Sequence, residues 1–304
     1  MTLTQLKYLV AVAETGHFAE AAQRCGVTQP TLSMQLQKLE RSLGIVLFDR
    51  RKKPVEPTEA GATLVAQARR VLHECARLEG LAQEARGTVT GELRLGILPT
   101  LAPYLLPLVV PRFLRRYPGV HLRVREATTA QLIGELVGNG LDLGLASDHE
   151  PHAALLSQPL FREPFVAFLA PEHRLAPHRE IPTSALHVSD MWLLSEGHCL
   201  RDQTLRLCRG GELACGTRRS LHFESGNLQT LVKLVKQSGG MTLLPLLATL
   251  DLSDGERRTY VRPLVPTPQR EVWALTSRTS AQRPLFRAFI TTVLEALPEN
   301  LAAL

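Results

Sequence analysis

The chain has 304 residues, 44% of them hydrophobic and 21% charged, which is typical of a globular protein and excludes a disordered or fibrous one. A net charge of +6 permits a polyanionic partner without requiring one, and the longest apolar runs are too short to cross a bilayer. Five cysteines, an odd number, argue against a structural disulfide framework, so we expect a cytoplasmic protein. The length predicts more than one domain. The short apolar runs predict no membrane partner.

Three short helices are predicted in the first 44 residues. One ends at Thr15-Gly16, the second covers 18–25, and the third covers 28–44, with Thr28 as its cap. Two short helices, a glycine turn and a third helix match a helix-turn-helix, which reads base edges in the major groove. The polar or long side chains suited to that contact are Gln29, Thr31, Met34, Gln35 and Lys38. Pro30 and Ser33, in the same part of the helix, are also expected to contact DNA.

A basic loop follows the third helix between two prolines, and it contains Arg50, Arg51, Lys52 and Lys53. A run of four basic residues is also typical of a solvated surface loop. Its position directly after a polar-fronted helix favours contact with phosphates, so the sequence predicts double-stranded DNA as a partner.

A long helix is predicted from Thr58 to about Arg86. Its apolar residues alternate spacings of four and three, the seam of a coiled coil: Leu64, Ala68, Val71, Cys75, Leu78, Ala82 and Ala85. The alternative is a helix packed on its own domain. We expect a dimer, with Cys75 and Cys25 as small apolar fillers.

The remaining two thirds alternate predicted strands and helices. Strands are expected at 91–100, 120–127, 141–146, 164–171, 241–248 and 270–278, with 192–197 continuing the pattern, and helices after 100, near 129, at 227–237 and at 281–297. The order βαβαβ predicts a parallel sheet covered by helices, and its restart near 164 predicts two α/β lobes with a cleft. No glycine-rich nucleotide motif follows a strand, so no cofactor is expected.

Cys199 and Cys208 stand nine residues apart in GHCLRDQTLRLC. If this segment is helical, the sulfurs are separated by about 13.5 Å along the axis. A disulfide tolerates about 7 Å between α-carbons, so bridging the two would require the segment to lose its regular structure. Oxidation would then be a conformational switch, and hydrogen peroxide is the simplest oxidant that a thiolate attacks.

A polar pocket is needed to bind the peroxide, and Thr100, Thr129 and His198 are the candidates for it. The helix terminus, Arg201 and a protonated His198 would each favour a thiolate at Cys199. Two alternatives remain: the cysteines are core fillers, or they join His198 and Cys215 in a zinc site, although the spacing lacks the short pairs that zinc favours.

The segment HFAEAAQRCGVTQPTLSMQLQKLERSLGIVLFDR resembles the DNA-binding module of LysR-type transcriptional regulators, and GHCLRDQ with Cys208, LPTLAPYLLP and EATTAQL resembles their peroxide-sensing members. The resemblance implies a winged helix-turn-helix, all-α with a small β wing, at 1–58. It implies a linker and dimerisation helix at 59–88, and a two-lobed α/β, periplasmic-binding-protein-like regulatory domain at 89–304. Lobe I would cover about 89–161 and 268–304, and lobe II about 162–267.

The same resemblance implies that Cys199 is the peroxidatic residue and Cys208 its resolving partner. It further implies a homotetramer, a dimer of dimers, that recruits RNA polymerase to antioxidant genes and is reset by a glutathione-linked reductant. Two other functions stay open from the residues themselves. One is a regulator that answers a small organic effector in the cleft, and the other is a thiol peroxidase joined to a DNA-binding module.

Overall fold

The computed structural model of the chain describes residues 1–84, 89–147, 150–208, 226–278, 284–299 and 301–303. The chain divides into two compact units, Met1–Thr88 with Gly138–Gly140, and Val89–Val137 with Leu141–Leu304. Within the described ranges, no helix has both the length and the apolar character that a bilayer crossing demands.

Short helices, a hairpin and a long helix form the first unit. Local capping sets the limits of its third helix: the Thr28 side chain accepts the Thr31 amide at the start, and Gly44 ends the helix in the left-handed conformation. These limits confirm the prediction. The elements are α1 Leu3–Thr15, α2 Phe18–Arg24, α3 Gln29–Leu43, β1 Phe48–Asp49, β2 Glu56–Pro57 and α4 Glu59–Glu84.

The core of this unit lies where α1 packs against α2, α3 and α4. Leu32, Leu36 and Leu39 are fully buried, as their helical spacing predicts. Leu43, expected on the same face, is the last residue of α3 and is 36% exposed.

Strands and helices alternate in the second unit. Its elements are β3 Gly91–Ile97, α5 Ala102–Arg116, β4 Val120–Glu126, α6 Thr129–Val137, β5 Leu143–Ser147, β6 Leu155–Leu169, β7 Ile181–Pro182, α7 Cys199–Leu207, α8 Leu228–Ser238, β8 Met241–Pro245, α9 Asp254–Tyr260, β9 Val261–Val265, β10 Gln269–Ser277, α10 Pro284–Ala296 and β11 Ala302–Ala303.

The sheet of this unit has parallel pairs at both ends of its strand order, where β7 pairs with β9 at the second end, and antiparallel pairs between them. Strand β3 pairs in parallel with both β4 and β5, which confirms the first βαβαβ pattern. The parallel restart expected near 164 is wrong, because β6 pairs antiparallel with β8, β9 and β10. Strand β6 begins at Leu155, nine residues before the predicted start, since its first half pairs with β10 and its second half with β8 and β9.

The expected continuation at 192–197 is not a strand. A single bridge joins Met191 to Met241, and the backbone then enters a turn that leads into α7. Gly197, with φ of 84°, makes this turn in a region that side chains disfavour. The turn fixes where α7 begins, and therefore where Cys199 lies.

Candidate functional site

The exposed surface of α3 carries the residues predicted to contact DNA. Gln35 is anchored, because its Oε1 accepts a hydrogen bond from the buried Gln5 Nε2 at 3.1 Å. Its neighbours are free of the core: Gln29, Pro30, Met34 and Lys38 are exposed, and Thr31 and Ser33 are half-buried. Their contacts with bases stay a prediction.

The basic loop forms the turn between β1 and β2, and three of its side chains already contact carboxylates. Arg50 binds Glu40 at 3.0 Å, Arg51 binds Asp49 at 3.0 Å, and Lys52 binds Glu56. Arg51 also holds the pKa of the Asp49 carboxyl down to about 2. The predicted phosphate contacts, Lys53 included, would therefore replace existing anionic partners at three of the four positions.

Helix α4 packs into the core of the first unit near its start and exposes apolar surface farther along. Val65 and Ala68 are buried against the core of the first unit, as the own-domain alternative required. Farther along, Leu78 is 68% exposed and Cys75 is half-buried. An exposed leucine on a heptad seam is suited to a second copy of the helix. The side chains of the seam's last two alanines lie outside what the structure describes.

Thr100 and Thr129 follow neighbouring parallel strands at one edge of the sheet. In the pairing of β3 with β4, Ile97 lies opposite Glu126, and each threonine comes three residues after its strand residue. The amide of Ala127 donates to the Ile97 carbonyl at 3.1 Å, which holds the two strand ends together. The carboxyl ends of parallel strands are where such sheets bind ligands.

Cys199 is the first residue of α7, and its sulfur contacts this sheet edge. The Thr129 hydroxyl lies 3.0 Å from Cys199 Sγ. The amide end of a helix carries a partial positive charge, which stabilises an anion in the first turn. A half-buried sulfur with a hydroxyl partner at a helix start is suited to redox chemistry.

Thr100 lies in a buried polar network that the sequence reasoning missed. Arg270 Nη1 donates to Thr100 Oγ1 at 3.1 Å, and its Nη2 donates to the Thr100 carbonyl at 3.3 Å. Glu163 holds the guanidinium from the other side, with its Oε2 2.8 Å from Arg270 Nε. A signal existed in the sequence: Arg270 shares an alternating face with the apolar Val272 and Ala274, so it points inward.

His198 is the N-cap residue of α7 but makes no side-chain capping hydrogen bond, and its ring lies against Gly226. A β-carbon on Gly226 would come within 3.0 Å of His198 Nε2, so the absent side chain makes room for the imidazole. Burial lowers the pKa of His198, which keeps the ring neutral near pH 7. A protonated His198 was expected to favour the thiolate, and burial disfavours that protonated form. Arg201 donates to the Leu194 carbonyl at 3.1 Å.

Cys208 lies at the opposite end of α7. It is half-buried against the core of the second unit, and this burial raises the pKa of its thiol to about 11, with a further contribution from Asp190. Nine residues of helix place the α-carbons of the two cysteines about 13.5 Å apart along the axis. The helical alternative considered from the sequence is thus the observed one.

Between the two cysteines, α7 is packed and hydrogen-bonded from one side. Leu200, Gln203 and Thr204 are buried. Gln203 Nε2 donates to Ser147 Oγ at 3.2 Å, which ties the middle of α7 to the end of β5. These contacts hold the helix that keeps the sulfurs apart.

The zinc alternative finds no support in the described ranges, where no three His, Cys, Asp or Glu side chains converge on a possible metal position. Its proposed fourth ligand, Cys215, falls within 209–225, outside the described residues.

Two family models match the chain. Residues 3–62 match the bacterial regulatory helix-turn-helix protein, lysR family, and residues 86–298 match the LysR substrate binding domain. The second match begins at residue 86, close to the boundary between the compact units at Thr88 and Val89.

Curated proteins and solved structures with similar sequences carry related names. A hydrogen peroxide-inducible genes activator of Haemophilus influenzae is 36% identical, over 90% of this chain and 89% of its own. The Escherichia coli K12 DNA-binding transcriptional dual regulator OxyR is 36% identical, over 90% and 88%. A full-length OxyR cysteine-to-aspartate variant from Pseudomonas aeruginosa is 34% identical, with TM-score 0.76 and 97% of each chain covered. An H2O2-bound OxyR cysteine mutant from Corynebacterium glutamicum is 29% identical, with TM-score 0.64, over 97% and 92%.

Proposed function

The chain belongs to the LysR family of bacterial transcriptional regulators, and from that premise we propose that it is a DNA-binding regulator that senses hydrogen peroxide through Cys199. The observation that carries the proposal is the position of the Cys199 sulfur. It lies at the amide end of α7 and 3.0 Å from the Thr129 hydroxyl, at the ligand-binding edge of the sheet.

The first chemical step is a displacement at oxygen. The Cys199 thiolate attacks one peroxide oxygen, an S–O bond forms, and the O–O bond breaks. Sulfur is oxidised to a sulfenic acid, and the departing hydroxide takes a proton to become water. Thr129 hydrogen-bonds the sulfur, while Thr100 and the neutral His198 are the candidates to bind the peroxide oxygens.

The second step requires the helix to open. The Cys208 thiol condenses with the sulfenic acid, which forms the S–S bond and releases water. Because nine residues of helix separate the two α-carbons by about 13.5 Å and a disulfide tolerates about 7 Å between α-carbons, the bridged segment cannot stay helical. Loss of α7 also removes the contact of Gln203 with Ser147, so the redox change reaches the sheet.

The remaining parts of the proposal connect this change to a promoter. Residues 1–58 bind double-stranded DNA, 59–88 form the dimerisation helix, and 89–304 form the regulatory domain with lobes at about 89–161 with 268–304, and at about 162–267. Subunits assemble as a homotetramer, recruit RNA polymerase when oxidised, and are reset by a glutathione-linked reductant. A protein that acts on promoter DNA works beside the chromosome, which places it in the cytoplasm.

The test uses the full chain, its Cys199→Ser variant, and Cys208→Ser as the matched control. After stoichiometric peroxide, we expect the wild type to lose two free thiols and to change its promoter footprint. Cys199→Ser should bind DNA without responding, and Cys208→Ser should stop at a trappable sulfenic acid. An unchanged response in Cys199→Ser would refute the proposal and favour an organic effector. Continuous peroxide consumption with a thiol reductant would favour a peroxidase.

A further inference from the structure

The ion pair of Glu163 and Arg270 is buried completely, with exposures of 0% and 1%. The two residues lie directly opposite each other on the antiparallel strands β6 and β10. Both carboxylate oxygens are occupied: Oε2 accepts from Arg270 Nε at 2.8 Å, and Oε1 accepts from the Leu247 amide at 2.7 Å. Glu163 therefore fixes the guanidinium relative to the backbone that follows β8.

The direction of the next hydrogen bond follows from chemistry. A guanidinium can only donate, so in its contact with Arg270 Nη1 the Thr100 oxygen must be the acceptor. The single hydroxyl proton of Thr100 then points elsewhere. Thr100 is buried at the same sheet edge as Thr129, whose hydroxyl contacts Cys199, so this proton is available to a molecule bound beside the sulfur.

We propose that Glu163 is a positioning residue for the reaction with peroxide. By orienting Arg270, which donates to the Thr100 oxygen, it directs the Thr100 hydroxyl proton toward the leaving oxygen of the peroxide. The proposal rests on the proposed function above. When the Cys199 thiolate attacks one peroxide oxygen, the electron pair of the O–O bond moves to the other, which becomes hydroxide and then water. A donor already aimed at that oxygen stabilises its charge as it develops.

Replacing Glu163 with glutamine should disturb this aim without changing the side chain's size. The glutamine has one oxygen and one NH2 group, whereas Arg270 and the Leu247 amide both require acceptors. One of the two donors loses its partner, and the buried guanidinium loses its counterion. Arg270 can then shift, and the Thr100 oxygen no longer has to accept its hydrogen bond.

The experiment measures the second-order rate at which full-length chain loses Cys199 thiol to hydrogen peroxide, in a Cys208→Ser background. The same samples are alkylated with iodoacetamide, which consumes the same thiol without releasing a hydroxide. We expect Glu163→Gln to slow the peroxide reaction about ten- to a hundredfold and to change alkylation far less, because one preorganised donor is lost. Thr100→Val should have a similar effect.

The matched control is Asp142→Asn. Asp142 is also a buried carboxylate, 4% exposed, and its Oδ1 binds Arg94 Nη2 at 2.8 Å. Breaking this pair weakens the same unit without touching Thr100, so its peroxide rate should stay near that of the parent. Should Glu163→Gln fail to fold, Glu163→Asp keeps the charge, retracts the carboxylate, and should show a smaller loss in the same direction.

Non-additivity decides whether Glu163 acts through Thr100. In a Thr100→Val background, Glu163→Gln should slow the peroxide reaction no further. An equal slowing in both backgrounds, a peroxide rate equal to that of the parent, or a parallel fall in alkylation would each overturn the inference. A parent protein whose Cys199 does not react with peroxide would instead overturn the proposed function.

Discussion

Leu200→Ala perturbs the packing of α7 while leaving both cysteines in place. Leu200 is 3% exposed and packs into the core of the second unit, and truncating a buried leucine to alanine costs about 2–5 kcal/mol. If the bridged form gives up this packing, the whole cost falls on the dithiol form. A two-electron couple moves by about 30 mV per 1.4 kcal/mol, so the reduction potential should become roughly 40–110 mV more negative.

The assay equilibrates the full chain with dithiothreitol buffers of graded potential and quantifies the bridged fraction by mass after acid quenching. Leu93→Ala is the matched control, since Leu93 is fully buried in the same core but lies on β3, far along the sequence from α7. It should lower thermal stability without moving the redox midpoint. An unchanged redox midpoint in Leu200→Ala would show that the bridged form keeps the packing of Leu200, and would contradict the loss of α7 on oxidation.

Three further predictions concern single contacts. Thr129→Val removes the hydroxyl 3.0 Å from Cys199 Sγ and should slow sulfenic acid formation about tenfold or more at fixed pH, as measured by dimedone trapping; an unchanged rate would contradict a role for that hydroxyl. Burial lowers the pKa of His198 from 6.5, so the His198 contribution to folding stability should be complete above that pH and should fall below it, as the unfolded chain takes up the proton. His198→Gln should flatten this decline in the free energy of unfolding, as measured by urea titrations between pH 7.5 and 5.5. Arg51→Ala should reduce the slope of log affinity against log salt by about one for promoter DNA, and a parallel line would exclude a phosphate contact there.

Local signals in the sequence were sufficient to predict features that depend on nearby residues. Thr28 and Gly44 set the limits of α3, and both act within one turn of the helix. Thr129 was a candidate because it follows a strand, and the structure indeed places its hydroxyl on Cys199. In these cases the neighbours that determine the structure are near in sequence or follow from the order of strands.

Pairings between distant segments were beyond the reach of the sequence. Glu163 and Arg270 are separated by 107 positions, and although alternation places Arg270 on the inward face of its strand, nothing near either residue identifies the other as its partner. The antiparallel register that buries both depends on the extended β6, whose first half includes Pro159. The ionisation of His198 likewise depends on burial beside Gly226, on the far side of residues 209–225.

Hydrogen–deuterium exchange across residues 199–208 tests most directly whether the bridge and the helix exclude each other. The full chain is compared before and after stoichiometric peroxide, with Cys208→Ser as the control that is oxidised without bridging. We expect slow exchange of the amides at 203–207 in the reduced chain and in the control, and fast exchange once the disulfide has formed. Slow exchange at these amides in a chain shown by mass to be bridged would contradict this expectation.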